Sequence, residues 1–478
     1  MIERISSKIV LTVAILFLLL FLPIYSLFLK NYFILYFLNS NNHIDQKYYL
    51  DIFNHLEFSI LFTILLLIII KLSANRILTL IKNLALQRLL YYLIIFQSIT
   101  QFVNTFLIET IQHSDSAFYL SHGIRLAETG SYLSAQGNFT AFWPVGIPFI
   151  ISLFHNLGLP EILSFQMMNI LLSSVLLILF KFSLKNILNE NELKLFLILF
   201  TLFPNNLLIS QSILTELPYL FLVWMSFFLV FYQSNKFVKT RFFLVGIITG
   251  INILVRANAI MMIPIIILTL IKFDKKYFSK ILLFVLGSII IVSPWALRNY
   301  QHFGKAVISS TNGGFNFLMG NHINSSGKIN FDFEYDITNK NEVEESDKAY
   351  KQGIDDMIEN PVKTLIRLPK KIFWSYWRGD FSLTWALKET KNEISPIIKS
   401  FLFFSNNLYF YLIITVSLLG FIKIPKGFIS NKQIFFLNLY FIVNLLMILI
   451  YVGSERYIYS VFPLHILYFI KNFKIEKN

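Results

Sequence analysis

Apolar runs long enough to cross a bilayer recur along this chain, separated by short turns rich in Lys and Arg. A hydrocarbon core about 30 Å thick needs roughly 20 apolar residues of helix, and it offers no water to backbone polar groups. Such a chain is expected to fold as a polytopic α-helical membrane protein. Composition agrees: 56% hydrophobic residues, 14% charged residues and a mean hydropathy of +0.63 are too apolar for a soluble chain of 478 residues. The absence of Cys excludes disulfides, thiol nucleophiles and cysteine metal sites. The net charge of +14 is read as topology rather than nucleic-acid binding, because the basic residues fall in the short turns that anchor the cytoplasmic side.

Taken in order, the charges predict about 12 spans with both termini inside. Residues 1–88 hold two N-terminal spans, near 9–28 and 58–70. The first run is long and no small-residue cleavage site follows it, so it reads as an uncleaved span rather than a signal peptide. Residues 89–296 form the core transmembrane part, with spans near 89–111 and 161–180, one climbing from Lys185 to TELPY, one near 217–233, a pair of short spans or half-buried helices across 242–270, and another near 281–296. Residues 297–397 are polar and read as an extracytoplasmic domain of mixed α/β type. Helices are expected in EVEESDKAYKQGIDDMIEN, ended by Pro361, and across 361–377. Residues 331–359 carry ten of the 27 acidic residues and read as a solvated surface. Residues 398–478 supply three last spans, near 399–421, 434–452 and 457–471, and a cytoplasmic tail.

The first large external loop, 112–160, is the centre of the functional reading. Asp115 directly follows a span. In DSAFYLSHGIRLAETGSY, Ala117, Leu120 and Ile124 share one helical face, while Asp115, His122 and Arg125 lie on the other; this predicts a helix on the membrane surface. Pro144, Gly146 and Pro148 in FWPVGIP are expected to turn the chain sharply.

Charges at the membrane boundary cluster on one side. Asp115, Glu216, Arg256, Arg298, Glu455 and Arg456 all sit at external ends of apolar runs, where an unpaired charge is costly. Two carboxylates with several arginines suit transfer from a phosphate-linked donor: a carboxylate takes the proton of an acceptor hydroxyl, and guanidinium groups neutralise the departing phosphate. Each residue also has a plainer reading. Ser114 and Asp115 are good helix caps, Glu216 can pair structurally with an arginine, Arg298 beside Trp295 can anchor an interface, and Arg456 can pair with Glu455. His113, His122, His302, His322 and His465 lack metal-ligand spacing, so no metal is expected. GGFNFLMGN has the glycines of a turn but not the ending of a phosphate loop.

HSDSAFYLSHGIRLAETGSY, FWPVGIP, LTELPY, LVRANA, SPWALRNYQHFG, GGFNFLMGN, SSGKI, ENPVKTLIRLPKKIFWSYW and SERYIYSVFPLH follow one another from 113 to 465. Together they resemble the bacterial membrane glycosyltransferases related to protein O-mannosyltransferases and the aminoarabinose transferase of lipid A, which share the GT-C fold. The two spans before residue 89 are an addition to that pattern, and FWPVGIP stands where the family more often has a double proline and Gly-Tyr. The resemblance implies a sugar donor on a polyprenyl phosphate, a glycan, lipid or protein acceptor, no cofactor, and a site on the outer face of a bacterial inner membrane. It implies Asp115 as general base, Glu216 in donor or acceptor positioning, and Arg256, Arg298 and Arg456 around the lipid phosphate. Tyr119, Asn299, Glu455 and Tyr457 would support them, and direct attack would invert the anomeric centre. The competing classes are a transporter or flippase of a lipid-linked or anionic substrate, which should show charges along a path to both faces, and a ligase or polymerase moving whole oligosaccharides.

Overall fold

The computed structural model describes residues 83–234, 236–329, 341–421 and 431–472, with isolated positions at 63, 64 and 68. The expected span at 9–28, most of the one at 58–70, the acidic residues of 331–340, the turn with Lys423 and Lys426, and the tail from 473 lie outside the described residues.

The chain is helical throughout these segments. Helix α1 (Leu86–Ile108) leads to α2 (Asp115–Thr129), α3 (Gly146–Asn156) and α4 (Glu161–Leu184). Next come α5 (Glu190–Thr201), the short α6 (Pro204–Leu208) with a 3₁₀ turn at Ile209–Gln211, and α7 (Glu216–Phe231). Helix α8 (Val238–Val255) is followed by a 3₁₀ segment, Ala257–Met261, then α9 (Met262–Phe273) and α10 (Tyr277–Phe303). Helices α11 (Gly313–Asn321), α12 (Glu342–Glu359), α13 (Pro361–Tyr376) and α14 (Phe381–Leu387) follow. Helices α15 (Pro396–Phe421), α16 (Lys432–Ile450) and α17 (Glu455–Asn472) complete the described chain.

Six of these helices are long and apolar enough to cross a membrane, or seven if the bent pair α5–α6 counts as one span, so the chain is a helical membrane protein. The expected count of about 12 is not reached among the described residues. Helix α7 has 16 residues, about 24 Å of rise against about 30 Å of hydrocarbon, and α9 is shorter still.

Three expectations are corrected here. The region 297–397, expected to be external and of mixed α/β type, is all-helical among the described residues, which show only isolated β-bridges. The reason is legible in α12, where Val343, Ser346, Ala349 and Gly353 recur at helical spacing and form the buried face. Helix α10 itself continues past residues 296 and 297, unbroken through Pro294. GGFNFLMGN is a helix, and so is the chain from Gly146, where Pro148 sits in the first turn of α3 and its missing N–H costs no helical bond.

Packing against α10 is set by backbone contact. A Cβ at Gly246 of α8 would lie 2.0 Å from the Phe284 carbonyl oxygen, and one at Gly287 would lie 2.3 Å from that of Phe243. Only glycine lets the two helices approach so closely, which is how helices associate in lipid, where apolar side chains gain nothing by leaving the bilayer. In the interior, Phe180 meets Phe196, Phe200 and Trp224 edge-on with centroids 4.7–5.1 Å apart, a compact aromatic centre.

The broken stretch between α5 and α7 bends by 54° and frees carbonyl groups that no helix satisfies. Side-chain amides from neighbouring helices take them up. Gln101 Nε2 donates to the Asn206 carbonyl at 2.7 Å, Asn104 Nδ2 to Leu207 at 3.1 Å, and Gln166 Nε2 and Gln112 Nε2 to Gln211 at 3.1 and 3.2 Å. Gln112 also accepts from the Ile213 N–H at 2.9 Å. This network fixes the approach to Glu216 inside a water-poor interior.

Candidate functional site

Asp115 is presented by a strained turn. Ser114 adopts φ +49°, a conformation that costs a non-glycine residue about 1 kcal/mol or more. The turn is held from behind: Ser116 Oγ donates to the His113 carbonyl at 2.7 Å and accepts from the His113 N–H at 3.0 Å. Ser114 makes no capping bond, so the plain reading of this pair as helix caps does not describe it. The Asp115 carboxylate is directed instead at Arg456, whose Nη1 donates to Oδ2 at 2.5 Å.

Arg456 joins both carboxylates. Its Nε donates to Glu216 Oε1 at 2.7 Å, and the same oxygen accepts from Arg256 Nη1 at 2.8 Å. Arg256 also donates to Thr215 Oγ1 at 2.9 Å. The planar fork of an arginine suits such bridging, which a point-like ammonium cannot reproduce. Arg256 lies over the rings of Tyr219 and Tyr457, and Arg456 over that of Trp385. Glu216 is 2% exposed, and its Oε2 is buried with no hydrogen-bond partner among the described residues. Its observable work is holding the two arginines together. Asp115 has Oδ2 on Arg456 and makes no hydrogen bond through Oδ1 among the described residues.

The start of α17 carries Arg456 and Glu455 to this point because Gly453 permits it. A Cβ there would stand 2.3 Å from the Lys371 carbonyl oxygen of α13. Glu455 does not pair with Arg456. It accepts from Arg378 Nη2 at 3.0 Å, and Arg378 also lies 3.3 Å from Asp380, which is held by Asn407 Nδ2 at 2.7 Å. Burial pushes the Asp380 carboxyl up, with Arg378 opposing.

A cavity of about 620 Å³ opens on this cluster, with Asp115, Tyr119, Trp143, Arg256, Lys328 and Arg456 in its wall. A second, of about 370 Å³, shares Arg256, Arg456 and Tyr457 and continues into uncharged polar groups such as Asn316, Asn444 and Ser460. Burial, and next the Asp115 carboxylate, push the Tyr119 phenol up, so it remains a protonated group in the wall.

Seven of the nine residues expected from sequence therefore line the two cavities: Asp115, Tyr119, Glu216, Arg256, Glu455, Arg456 and Tyr457. Arg298 and Asn299 are placed elsewhere. Arg298 donates to the carbonyls of Tyr132 and Thr140 at 2.7 and 2.8 Å and to Asn299 Oδ1 at 2.8 Å, while Asn299 donates to the Val307 carbonyl at 2.8 Å. Together with Glu342, which bonds Thr140 Oγ1 and the Ala141 N–H, Arg298 clamps the loop that presents Phe142 and Trp143 to the cavity. The acidic run is thus not wholly solvated, since Glu342 holds this loop and Glu345 is buried. His122 is also buried, against the expected outward face of α2.

Sequence reasoning missed Lys328, Arg378, Asp380 and Trp385. Lys328 stands inside SSGKI, and Arg378 and Asp380 directly follow FWSYW, so the signal was adjacent to motifs already singled out. No cluster of three or more His, Cys, Asp or Glu able to hold a metal occurs among the described residues.

Fold and site together define a helical membrane protein with a buried carboxylate–arginine cluster opening on a cavity. No family model, curated protein or solved structure matches the chain.

Proposed function

We propose that this protein is a GT-C-type glycosyltransferase with about 12 spans, moving a sugar from a polyprenyl phosphate to a hydroxyl of an envelope glycan, lipid or protein. It would act on the outer face of a bacterial inner membrane. The observation that carries the reading is the Asp115 carboxylate, anchored through one oxygen on Arg456 while it lines a cavity whose wall also holds Arg256 and Lys328.

In this reading the acceptor oxygen attacks the anomeric carbon from the face opposite the phosphate, and its proton passes to Asp115 Oδ1. The bond between anomeric carbon and phosphate oxygen breaks with its electron pair on the phosphate, which leaves as the polyprenyl phosphate anion. Arg256 and Lys328 meet that charge, and a carboxylate beside the anomeric carbon favours its oxocarbenium character. Arg456 and Glu216 orient the group. Arg298, outside the cavity, has no part in holding the phosphate.

The test is transfer by purified protein in nanodiscs, from a panel of polyprenyl-phosphate sugars to envelope extracts. A folded Asp115→Asn variant should lose about 10²–10⁴-fold in rate, the usual worth of a general base. Unchanged turnover in that variant would remove Asp115 from the chemistry. Movement of a lipid-linked substrate across vesicles without transfer would replace the enzyme reading with the flippase.

A further inference from the structure

The opposite end of the bundle holds a separate basic concavity. It lies at the far end of α7 from Glu216, about 24 Å away by helix rise. Its volume is about 290 Å³, and its wall combines Arg241, Lys280 and Lys432 with a single carboxylate, Asp274. Asp274 is committed to Lys280 and accepts from the Lys276 N–H at 2.9 Å. Arg241 is braced by the carbonyls of Tyr232 and Ser234 at 2.5 and 3.0 Å, and its buried Nε has no acceptor among the described residues. Lys432 is exposed and makes no ion pair among the described residues. Three cations against one anion leave an excess of two positive charges in one hollow.

Phe231, Tyr232, Phe242 and Phe273 line the hollow beside the cations. Phe237, 80% exposed, and Phe278, 76% exposed, stand at the starts of α8 and α10, the helices that carry Arg241 and Lys280. Exposed rings next to basic turns at the ends of apolar helices mark the level where hydrocarbon meets headgroups. A hollow at that level, basic within and aromatic at its edge, has the chemistry of a phosphodiester headgroup with its acyl chains directed along the bundle.

We propose that this concavity binds the headgroup of an anionic phospholipid and so ties the basic end of the bundle to one leaflet. The site is independent of the transfer chemistry and stands whether or not that reading holds.

The experiment compares full-length protein in nanodiscs of phosphatidylcholine alone and with phosphatidylglycerol, by thermal unfolding and by native mass spectrometry of retained lipid. Phosphatidylglycerol should raise the unfolding temperature and remain bound. Lys432→Gln should weaken retention about fivefold, the usual contribution of one basic residue near a charged surface. Lys280→Gln should do the same, and if it fails to fold because Asp274 loses its partner, Lys432→Gln carries the test. Lys348→Gln, at an exposed position of α12, should change nothing. Equal retention by wild type and Lys432→Gln would overturn the proposal. So would inorganic phosphate stabilising the protein in phosphatidylcholine as well as phosphatidylglycerol does, with the same dependence on Lys432, since that would assign the hollow to a soluble anion.

Discussion

Replacing Arg456 by Gln removes the side chain that, among the described residues, pairs with both carboxylates. Two charge-assisted hydrogen bonds are lost, to Asp115 and to Glu216, each worth about 1.5–3 kcal/mol. Glu216, 2% exposed, keeps Arg256; Asp115, 17% exposed, can be rehydrated from the cavity. Both facts favour the lower end, so Arg456→Gln should cost about 3 kcal/mol of stability, within the range for breaking a buried pair. Arg456→Lys should recover only part of this, because an ammonium cannot span both partners as the fork does. Asp115→Asn alone should cost about 1 kcal/mol, since the amide oxygen still accepts a hydrogen bond. The double variant should be less destabilised than the sum of the singles by about 1–2 kcal/mol, because no carboxylate is then left without its cation. The measurement is denaturant or detergent titration in mixed micelles, followed by tryptophan fluorescence. Effects that add to within about 0.3 kcal/mol would show that the pair is not formed and would refute the reasoning.

Arg298→Ala should speed proteolysis in 130–145 and cost about 1–2 kcal/mol through the lost bonds to Tyr132 and Thr140. In a transfer assay the donor KM should stay near wild type, because Arg298 lies outside both cavities. Gly246→Leu should separate α8 from α10 and destabilise by about 1–3 kcal/mol or more, read by thermal unfolding in nanodiscs. Lys371, fully buried on α13, donates to Asn321 Oδ1 and the Leu449 carbonyl, both at 2.8 Å. Burial and the adjacent Arg367 guanidinium push its ammonium down to about 7 from the ordinary 10.5. The unfolded chain therefore binds more protons between those values, so stability should rise with pH from about 7 to about 10.5, and Lys371→Met should flatten that rise.

Much of the architecture was legible because the solvent dictates it. Residues 161–184, 396–421 and 432–450 form helices near where the apolar runs lie, since lipid leaves the backbone no other partner. The break at Pro361 between α12 and α13 follows from the missing N–H of proline, which is harmless at the first helical position. The stretch leading to Glu216 was read as an ordinary span because hydropathy does not report that side-chain amides from α1 and α4 satisfy its broken backbone. Arg298 was misplaced for a similar reason: its target is two loop carbonyls 158 and 166 residues away in sequence.

The sequence by itself determined that this is a helical membrane protein with its unusual charges gathered at one end, because both follow from the cost of placing polar groups in hydrocarbon. Only the tertiary structure decided which charge meets which. Asp115 and Glu216 reach Arg456 across 341 and 240 residues, while Glu455, its immediate neighbour, turns to Arg378. That choice rests on how closely helices approach, set by Gly453 against α13 and Gly246 against α10. Contact distances between packed backbones leave no periodicity in the chain from which the pairing can be read.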